Sequence, residues 1–130
     1  MEILKERASR RAWALRMAKD FVERARERVG RLSAALIGSY ARGDFNEWSD
    51  IDVLLVAERV DENPLRRWDR LIDILVEYPE IEPIILSRAE FMRQLRLGTP
   101  MILELVEKGV ILADDLGILE ELRRGRGLRQ

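Results

Sequence analysis

Two aspartates at alternate positions, preceded by a glycine–serine pair, are the residues whose types and spacing are best suited to chemistry. Asp50 and Asp52 open an apolar run that ends at Ala57 and is typical of a buried strand. Side chains two residues apart on a strand share one face, roughly 6.6 Å apart at about 3.3 Å per residue. Two such carboxylates can bind one or two divalent cations. Hard oxygen ligands suit Mg²⁺, which completes its coordination with water and phosphate oxygens.

The glycine–serine pair lies where a strand is predicted to turn. Gly38 and Ser39 follow the apolar run Leu32–Ile37, which predicts a first buried strand. Glycine permits a sharp turn and a close approach of phosphate oxygens to the backbone, and the amides and the Ser39 hydroxyl can bind those oxygens. Alone, each feature is more common as a plain turn or a solvated strand end. Together they indicate a nucleoside triphosphate and its cation.

The segment from Gly38 to Val56 also resembles a known signature. With Ala41-Arg42-Gly43 after the turn and Ser49 before the first aspartate, it is similar to the motif of the nucleotidyltransferase superfamily that includes DNA polymerase beta. The likeness is strongest to the stand-alone minimal nucleotidyltransferases. The resemblance implies a nucleotidyltransferase fold and enzyme.

The resemblance also implies roles for matching positions. Gly38 and Ser39 would hold the triphosphate, and we add Arg42 to this predicted nucleotide site. Asp50 and Asp52 would bind the catalytic magnesium ions, with two ions expected. A hydroxyl group would then attack the α-phosphorus of ATP, and pyrophosphate would leave.

A third carboxylate is expected from a neighbouring strand, where it would help to bind metal and activate the attacking hydroxyl. The segment 80–86 resembles that strand, and Glu82 is the predicted residue. Glu80 lies two residues earlier, on the same face of the predicted strand, and remains the alternative. Glutamate is one methylene longer than the aspartate more common in the family.

Composition restricts the other possibilities. The chain contains no histidine and no cysteine, which excludes zinc sites of the usual kind, thiol nucleophiles and disulfides. Its 130 residues predict a single domain, 1–130, with about 123–130 as a frayed basic tail. No apolar run approaches the ~20 residues of a membrane span, and the first residues lack a signal-peptide core. We therefore expect a cytoplasmic protein without a membrane partner.

Basic residues are concentrated near the two ends. Residues 1–31 carry ten basic and five acidic side chains, and the arginines from Arg123 onward make the end of the chain basic. These basic ends could bind nucleic acid or an acidic partner protein through electrostatic attraction. Mixed arginine and glutamate on a helix more often form a solvated face with i,i+4 pairs.

Periodicity predicts alternating helices and strands. Helices are predicted over 3–29, from Asn63-Pro64, from the Ser87–Glu90 capping box to Gly98, from Thr99-Pro100 to Gly109 and from Asp114-Asp115. Ser39–Arg42 is predicted as a short turn or helix. Strands are predicted over 32–37, 50–57, 80–86 and 110–113. The fold class is α/β (α+β): a small mixed β-sheet with helices mainly on one face. In the loop 43–49, Trp48 is predicted to cover the core edge, with base stacking as the alternative.

The leading functional hypothesis is transfer of AMP from ATP to a hydroxyl acceptor. The resemblance implies that some such enzymes are antitoxins that adenylylate a HEPN-type toxin, so a HEPN-like protein partner is expected. A catalytically silent binding module is the main alternative, and a small-molecule or RNA nucleotidyltransferase is less favoured. Nucleic-acid binding, a homo-oligomer, the base preference and the acceptor are left open.

Overall fold

The computed structural model describes residues 2–125, which form a four-stranded sheet with helices around it. In chain order the elements are α1 Glu2–Val29, β1 Leu32–Ile37, α2 Ser39–Arg42, β2 Ile51–Ala57, α3 Pro64–Asp69, α4 Ile72–Leu75, β3 Ile81–Ser87, α5 Arg88–Leu97, α6 Pro100–Lys108, β4 Val110–Asp114 and α7 Ile118–Arg123. The mixed α/β fold class is thereby confirmed, and the predicted strands agree to within a residue at each end. Part of the predicted basic tail, 126–130, lies outside the described residues.

The strand order brings three chain segments to one edge of the sheet. The order is β3-β2-β1-β4, with β1 antiparallel to both β2 and β4, and β2 parallel to β3. The carboxyl end of β1 therefore lies beside the amino ends of β2 and β3. In the register of the sheet, Asp52 lies between Ile37 on β1 and Glu82 on β3.

Helices cover both faces of the sheet, which corrects the expectation that they pack mainly on one. Alternate residues of β1 belong to two separate cores: Ala34 and Leu36 pack with α1, whereas Ala35 and Ile37 pack with α5, α6 and α7. The physical reason lies in the strand itself, because all six residues of β1 are buried and need cover on both sides.

The predicted helix after Asn63 is broken into two short helices. The Asn63 side chain accepts a hydrogen bond from the Leu65 amide, so the predicted cap is confirmed. Helical periodicity predicts a buried stripe of Leu65, Trp68, Leu71, Ile72, Leu75 and Val76. This prediction is wrong for four of the six, since only Leu71 and Leu75 are buried. The other four are exposed by 78, 41, 54 and 74% respectively: Leu65, Trp68, Ile72 and Val76. Residues 70 and 71 belong to neither helix, so the chain does not continue as one helix with a single buried stripe. These four side chains are called the apolar stripe below.

Helix caps explain two further boundaries. Ser87 and Glu90 form the predicted capping box at the start of α5. The last helix begins at Ile118, later than predicted, because Asp114 belongs to β4. Its carboxylate still accepts hydrogen bonds from the amides of Leu119 and Glu120, at 3.1 and 3.0 Å, and so caps α7 from the strand.

Arginines of α1 hold the helix to the loop after α2. Arg7 donates to the carbonyls of Gly43 and Phe45, and Arg11 donates to the carbonyl of Tyr40. Phe45 is buried and stacks on Tyr40 with ring centroids 4.5 Å apart. Trp48, in contrast, is 85% exposed, so the prediction that it covers the core is wrong. Phe45 already fills that place. Within 2–125 no helix is long and apolar enough to cross a membrane.

Candidate active site

A cavity of about 470 Å³ opens at the sheet edge where β1 ends and β2 and β3 begin. All six residues predicted from the sequence line it, together with four that were not predicted to belong to the site. The lining consists of Ile37, Gly38, Ser39, Arg42, Asp50, Asp52, Glu82, Ile84, Met101 and Glu104. The fold therefore brings the turn, the aspartate pair and the third carboxylate into one place.

Gly38 is required by two independent features of the turn. Its φ of 78° is in the left-handed region that residues with a Cβ rarely adopt. A Cβ built at this position would also overlap Oδ2 of Asp52 and lie 3.0 Å from its Cγ. Any side chain here would thus displace the Asp52 carboxylate, so the glycine leaves room for an acidic group against the backbone of the turn.

Neighbouring carboxylates contribute to raised pKa values at Asp52 and Glu82. Burial, followed by the charges of Glu82, Asp50 and Glu104, raises the pKa of Asp52 from 3.8 to about 6, against a smaller opposing effect of Arg42. The pKa of Glu82 is raised as well, first by a hydrogen bond with the Asp50 carboxyl and then by burial. Concentrated negative charge of this kind is relieved by a proton or by a bound cation.

Glu82, and not Glu80, lies in the cavity. Glu82 is the neighbour of Asp52 across the parallel pair β2–β3. Glu80 precedes β3 and is absent from the cavity lining, and its Oε2 is buried with no hydrogen-bond partner among residues 2–125. The geometry therefore favours Glu82 between the two predicted alternatives.

Glu104 on α6 is a site residue that the sequence prediction missed. Its Oε1 accepts a hydrogen bond from the Gly38 amide at 2.6 Å and from Nη1 of Arg42 at 2.8 Å. The spacing of Met101, Ile102, Leu105 and Val106 predicts the buried face of this helix, and the available signal was an acidic residue directly before Leu105. Such a charge needs a partner, and the turn after β1 supplies it.

The nucleotidyltransferase domain family matches residues 18–126 of this chain, a range that contains the whole cavity lining. The chain belongs to the nucleotidyltransferase domain family. The match confirms the family and the enzyme class predicted from Gly38-Ser39 and the aspartate pair.

Relatives of this nucleotidyltransferase include proteins of known sequence and of solved structure. A Methanocaldococcus jannaschii protein named as a putative protein adenylyltransferase is 34% identical over 61 residues, which are 45% of this chain and 42% of that protein. The chain thus matches less than half the length of that relative. A crystal structure of a putative nucleotidyltransferase from Sulfolobus solfataricus superposes with a TM-score of 0.61 at 25% identity, over 81% of this chain and 84% of that one.

Two further solved structures share the fold. A toxin–antitoxin structure with AMP-PNP gives a TM-score of 0.53 at 19% identity, over 85% of this chain and 89% of the other. A mutant of the toxin–antitoxin MntA-HpeT gives 0.54 at 17% identity, over 85 and 87%. At 19 and 17% identity, these two structures show that the fold is shared and support no further conclusion about this chain.

The donor set of the cavity fits a hard divalent cation. Asp50, Asp52 and Glu82 provide carboxylate oxygens, and the glycine at 38 leaves space for one of these groups beside the turn. As they stand, no three acidic side chains within the described part of the chain are arranged to hold a metal ion by themselves. Mg²⁺ commonly takes only one or two carboxylates and completes its octahedron with substrate phosphates and water. The residues therefore fit a cation that arrives with a nucleotide.

Proposed function

We propose that this nucleotidyltransferase transfers AMP from ATP to a hydroxyl group on a partner protein, with magnesium bound at Asp50 and Asp52. The observation that carries the proposal is the cavity, which the Gly38-Ser39 turn lines together with the carboxylates of Asp50, Asp52 and Glu82. Its volume of about 470 Å³ lies within the range of about 300–1,000 Å³ of small-molecule sites.

The residues divide into a phosphate side and a carboxylate side. Gly38 and Ser39 offer backbone amides and a hydroxyl to the triphosphate, and Arg42 offers its guanidinium. Asp50 and Asp52 would hold magnesium, which would supply positive charge to stabilise the phosphates and the leaving group. The Asp52 carboxylate can lie close to the turn because residue 38 has no Cβ.

Glu82 is the proposed general base. The acceptor oxygen forms a bond to the α-phosphorus, and the bond between that phosphorus and the oxygen of pyrophosphate breaks. The hydroxyl proton passes to the Glu82 carboxylate. The position of Glu82 in the cavity, next to Asp52 across the β2–β3 pair, supports this role, because a general base must lie within reach of the hydroxyl.

Comparison with relatives supports ATP and a protein acceptor. The M. jannaschii relative is named as a putative protein adenylyltransferase, and one structural neighbour is a toxin–antitoxin with AMP-PNP. In the MntA-HpeT neighbour, two aspartates spaced two residues apart were replaced by glutamate, a spacing equal to that of Asp50 and Asp52. We infer that the chain acts as an antitoxin and that its acceptor is a HEPN-type toxin.

Surface features favour a different docking region from the basic helix. Six arginines of α1 donate hydrogen bonds within the chain, so they are structural contacts: Arg7, Arg10, Arg11, Arg24, Arg26 and Arg28. Four large apolar side chains between residues 65 and 76, the apolar stripe, are instead exposed. Exposed large apolar side chains are common in protein–protein contacts, so the stripe is the docking region proposed for a protein acceptor.

The proposal is tested by label transfer. The purified chain is incubated with Mg²⁺, ATP labelled at the α-phosphate and an extract of its host, and the matched Asp52→Asn variant is run in parallel. We expect label on a protein with the wild-type chain and none with the variant. Label on RNA alone would replace the protein acceptor with a nucleic acid. A stable protein complex without label would favour the binding module.

A further inference from the structure

A carboxylate occupies the place where the proposed function puts phosphate. Oε1 of Glu104 accepts from the Gly38 amide at 2.6 Å and from Arg42 Nη1 at 2.8 Å. One anionic oxygen with a backbone amide and a guanidinium as donors has the same hydrogen-bonding chemistry as a phosphate oxygen. The contact joins residues 66 positions apart in sequence, so the fold, and not a local turn, creates it.

Arg42 also donates a hydrogen bond to a second carboxylate. Its Nε donates to Asp44 at 3.2 Å, while Nη1 is taken by Glu104. Two of the nitrogens of the guanidinium are thus engaged by carboxylates before any ligand arrives. A triphosphate can use Arg42 and the Gly38 amide fully only if Glu104 releases them, because two anions cannot share these donors without repulsion.

Glu104 also adds a fourth carboxylate to the cavity formed with Asp50, Asp52 and Glu82. Its side chain is 26% exposed, so its charge is only partly screened by water. Negative charge at the phosphate side opposes the entry of a further anion. The hydrogen bonds of Glu104 and its negative charge therefore both weaken the binding of a nucleotide without a cation.

We propose that Glu104 is an internal competitor of the nucleotide: it occupies the phosphate side of the site and is displaced from Gly38 and Arg42 when a triphosphate binds. This inference rests on the proposed function and adds to it a residue that sets nucleotide affinity. Before binding, Glu104 keeps the turn and Arg42 in place. Its displacement makes binding weaker than the same site would allow without the glutamate.

The test measures the dissociation constant of AMP-PNP by calorimetry, with Mg²⁺ and again with EDTA. Glu104→Gln removes the charge and keeps the shape, and Glu104→Ala removes the competing group. We expect both variants to bind about tenfold more tightly in both conditions, the order of one charged hydrogen bond. Glu107→Gln is the matched control, since Glu107 is exposed one helical turn further along α6. We expect it to stay within about twofold of wild type.

The outcomes separate this inference from the proposed function. If the wild-type chain binds AMP-PNP but the two Glu104 variants bind no more tightly, Glu104 is not a competitor and the proposed function stands. Weaker binding only in the presence of Mg²⁺ would make Glu104 a metal ligand and overturn the inference. If neither wild type nor any variant binds AMP-PNP, both proposals fail.

Discussion

Two charged regions of this chain use their charge in opposite ways. The cavity gathers Asp50, Asp52, Glu82 and Glu104, and their proximity contributes to the raised pKa of Asp52. Six of the seven arginines of α1 instead donate hydrogen bonds to carboxylates, backbone carbonyls or the Tyr40 hydroxyl, and within residues 2–125 only Arg16 does not. In the clearest case, two nitrogens of Arg26 donate to the two oxygens of Asp115, at 2.9 and 2.8 Å. Pairs of opposite charges stabilise the fold, whereas a cluster of carboxylates is suited to binding a ligand of opposite charge. Composition alone does not distinguish the two.

The largest effect should come from neutralising the centre of the carboxylate region. We expect Asp52→Asn to lower the rate of AMP transfer at least a thousandfold, because a cation ligand is lost. The same variant should unfold at the same or a higher temperature than wild type, because repulsion among the carboxylates is relieved. Transfer assays and thermal denaturation of one preparation check both effects. Retention of most activity would contradict the assignment of Asp52.

Glu82→Gln should lower the transfer rate by about a hundredfold or more, because the proposed proton acceptor is removed. Its affinity for AMP-PNP should stay within a few fold of wild type, since Glu82 acts on the acceptor hydroxyl. Glu80→Gln is the matched control, with the same chemical change outside the cavity. Steady-state kinetics and calorimetry of the two variants provide the measurement. A larger loss in Glu80→Gln would reverse the choice between them.

In the paired region, Arg26→Ala should destabilise the fold without changing transfer. The variant loses two hydrogen bonds to Asp115, whose carboxylate also accepts from the Leu32 amide and so connects α1 to β1. We expect a loss of about 1–2 kcal/mol in the free energy of unfolding, measured by urea denaturation. Arg16→Ala, on the exposed side of the same helix, is the control and should change stability by less than about 0.5 kcal/mol. Equal losses in both variants would remove the distinction between paired and solvated arginines.

The smallest effect concerns pH, measured without metal. The folded-state pKa of Asp52 is raised from 3.8 to about 6, so the folded chain binds this proton more tightly than the unfolded chain. Its contribution to stability is therefore complete below pH 3.8 and is lost as pH rises through about 6. The advantage of Asp52→Asn over wild type should grow by about 1 kcal/mol between pH 4 and 7, after allowance for solvent screening. Urea titrations in EDTA at each pH measure it. A constant difference would show that Asp52 titrates normally.

Local patterns predicted most of the elements and the core of the site. β1 and α2 have their predicted bounds, and the capping box and Asn63 cap lie where the residue types placed them. Gly38, Asp50 and Asp52 could be recognised because they lie within one short segment with characteristic spacing. These features depend on neighbours in sequence, which periodicity and capping preferences describe directly.

The features that were missed depend on tertiary contacts. Glu104 reaches the site from α6, and no local pattern pairs it with the turn 66 positions earlier. The break between α3 and α4 lies in a sequence that satisfies helical periodicity throughout, so the periodicity did not show it. Trp48 and Phe45 occur in one loop, and their hydrophobicity alone did not show which would be buried against Tyr40.

The bonds from the start of α1 to the loop after α2 also affect how the protein opens locally. Arg7, Arg10 and Arg11 fix the segment from Tyr40 to Phe45 from about 30 residues away in sequence. When the first turns of α1 fray, that segment loses its anchors, so the two should exchange their amide hydrogens as one cooperative unit. Because the loop joins the Gly38 turn to Asp50, we expect fluctuations at the start of α1 to change the spacing between the two halves of the candidate site.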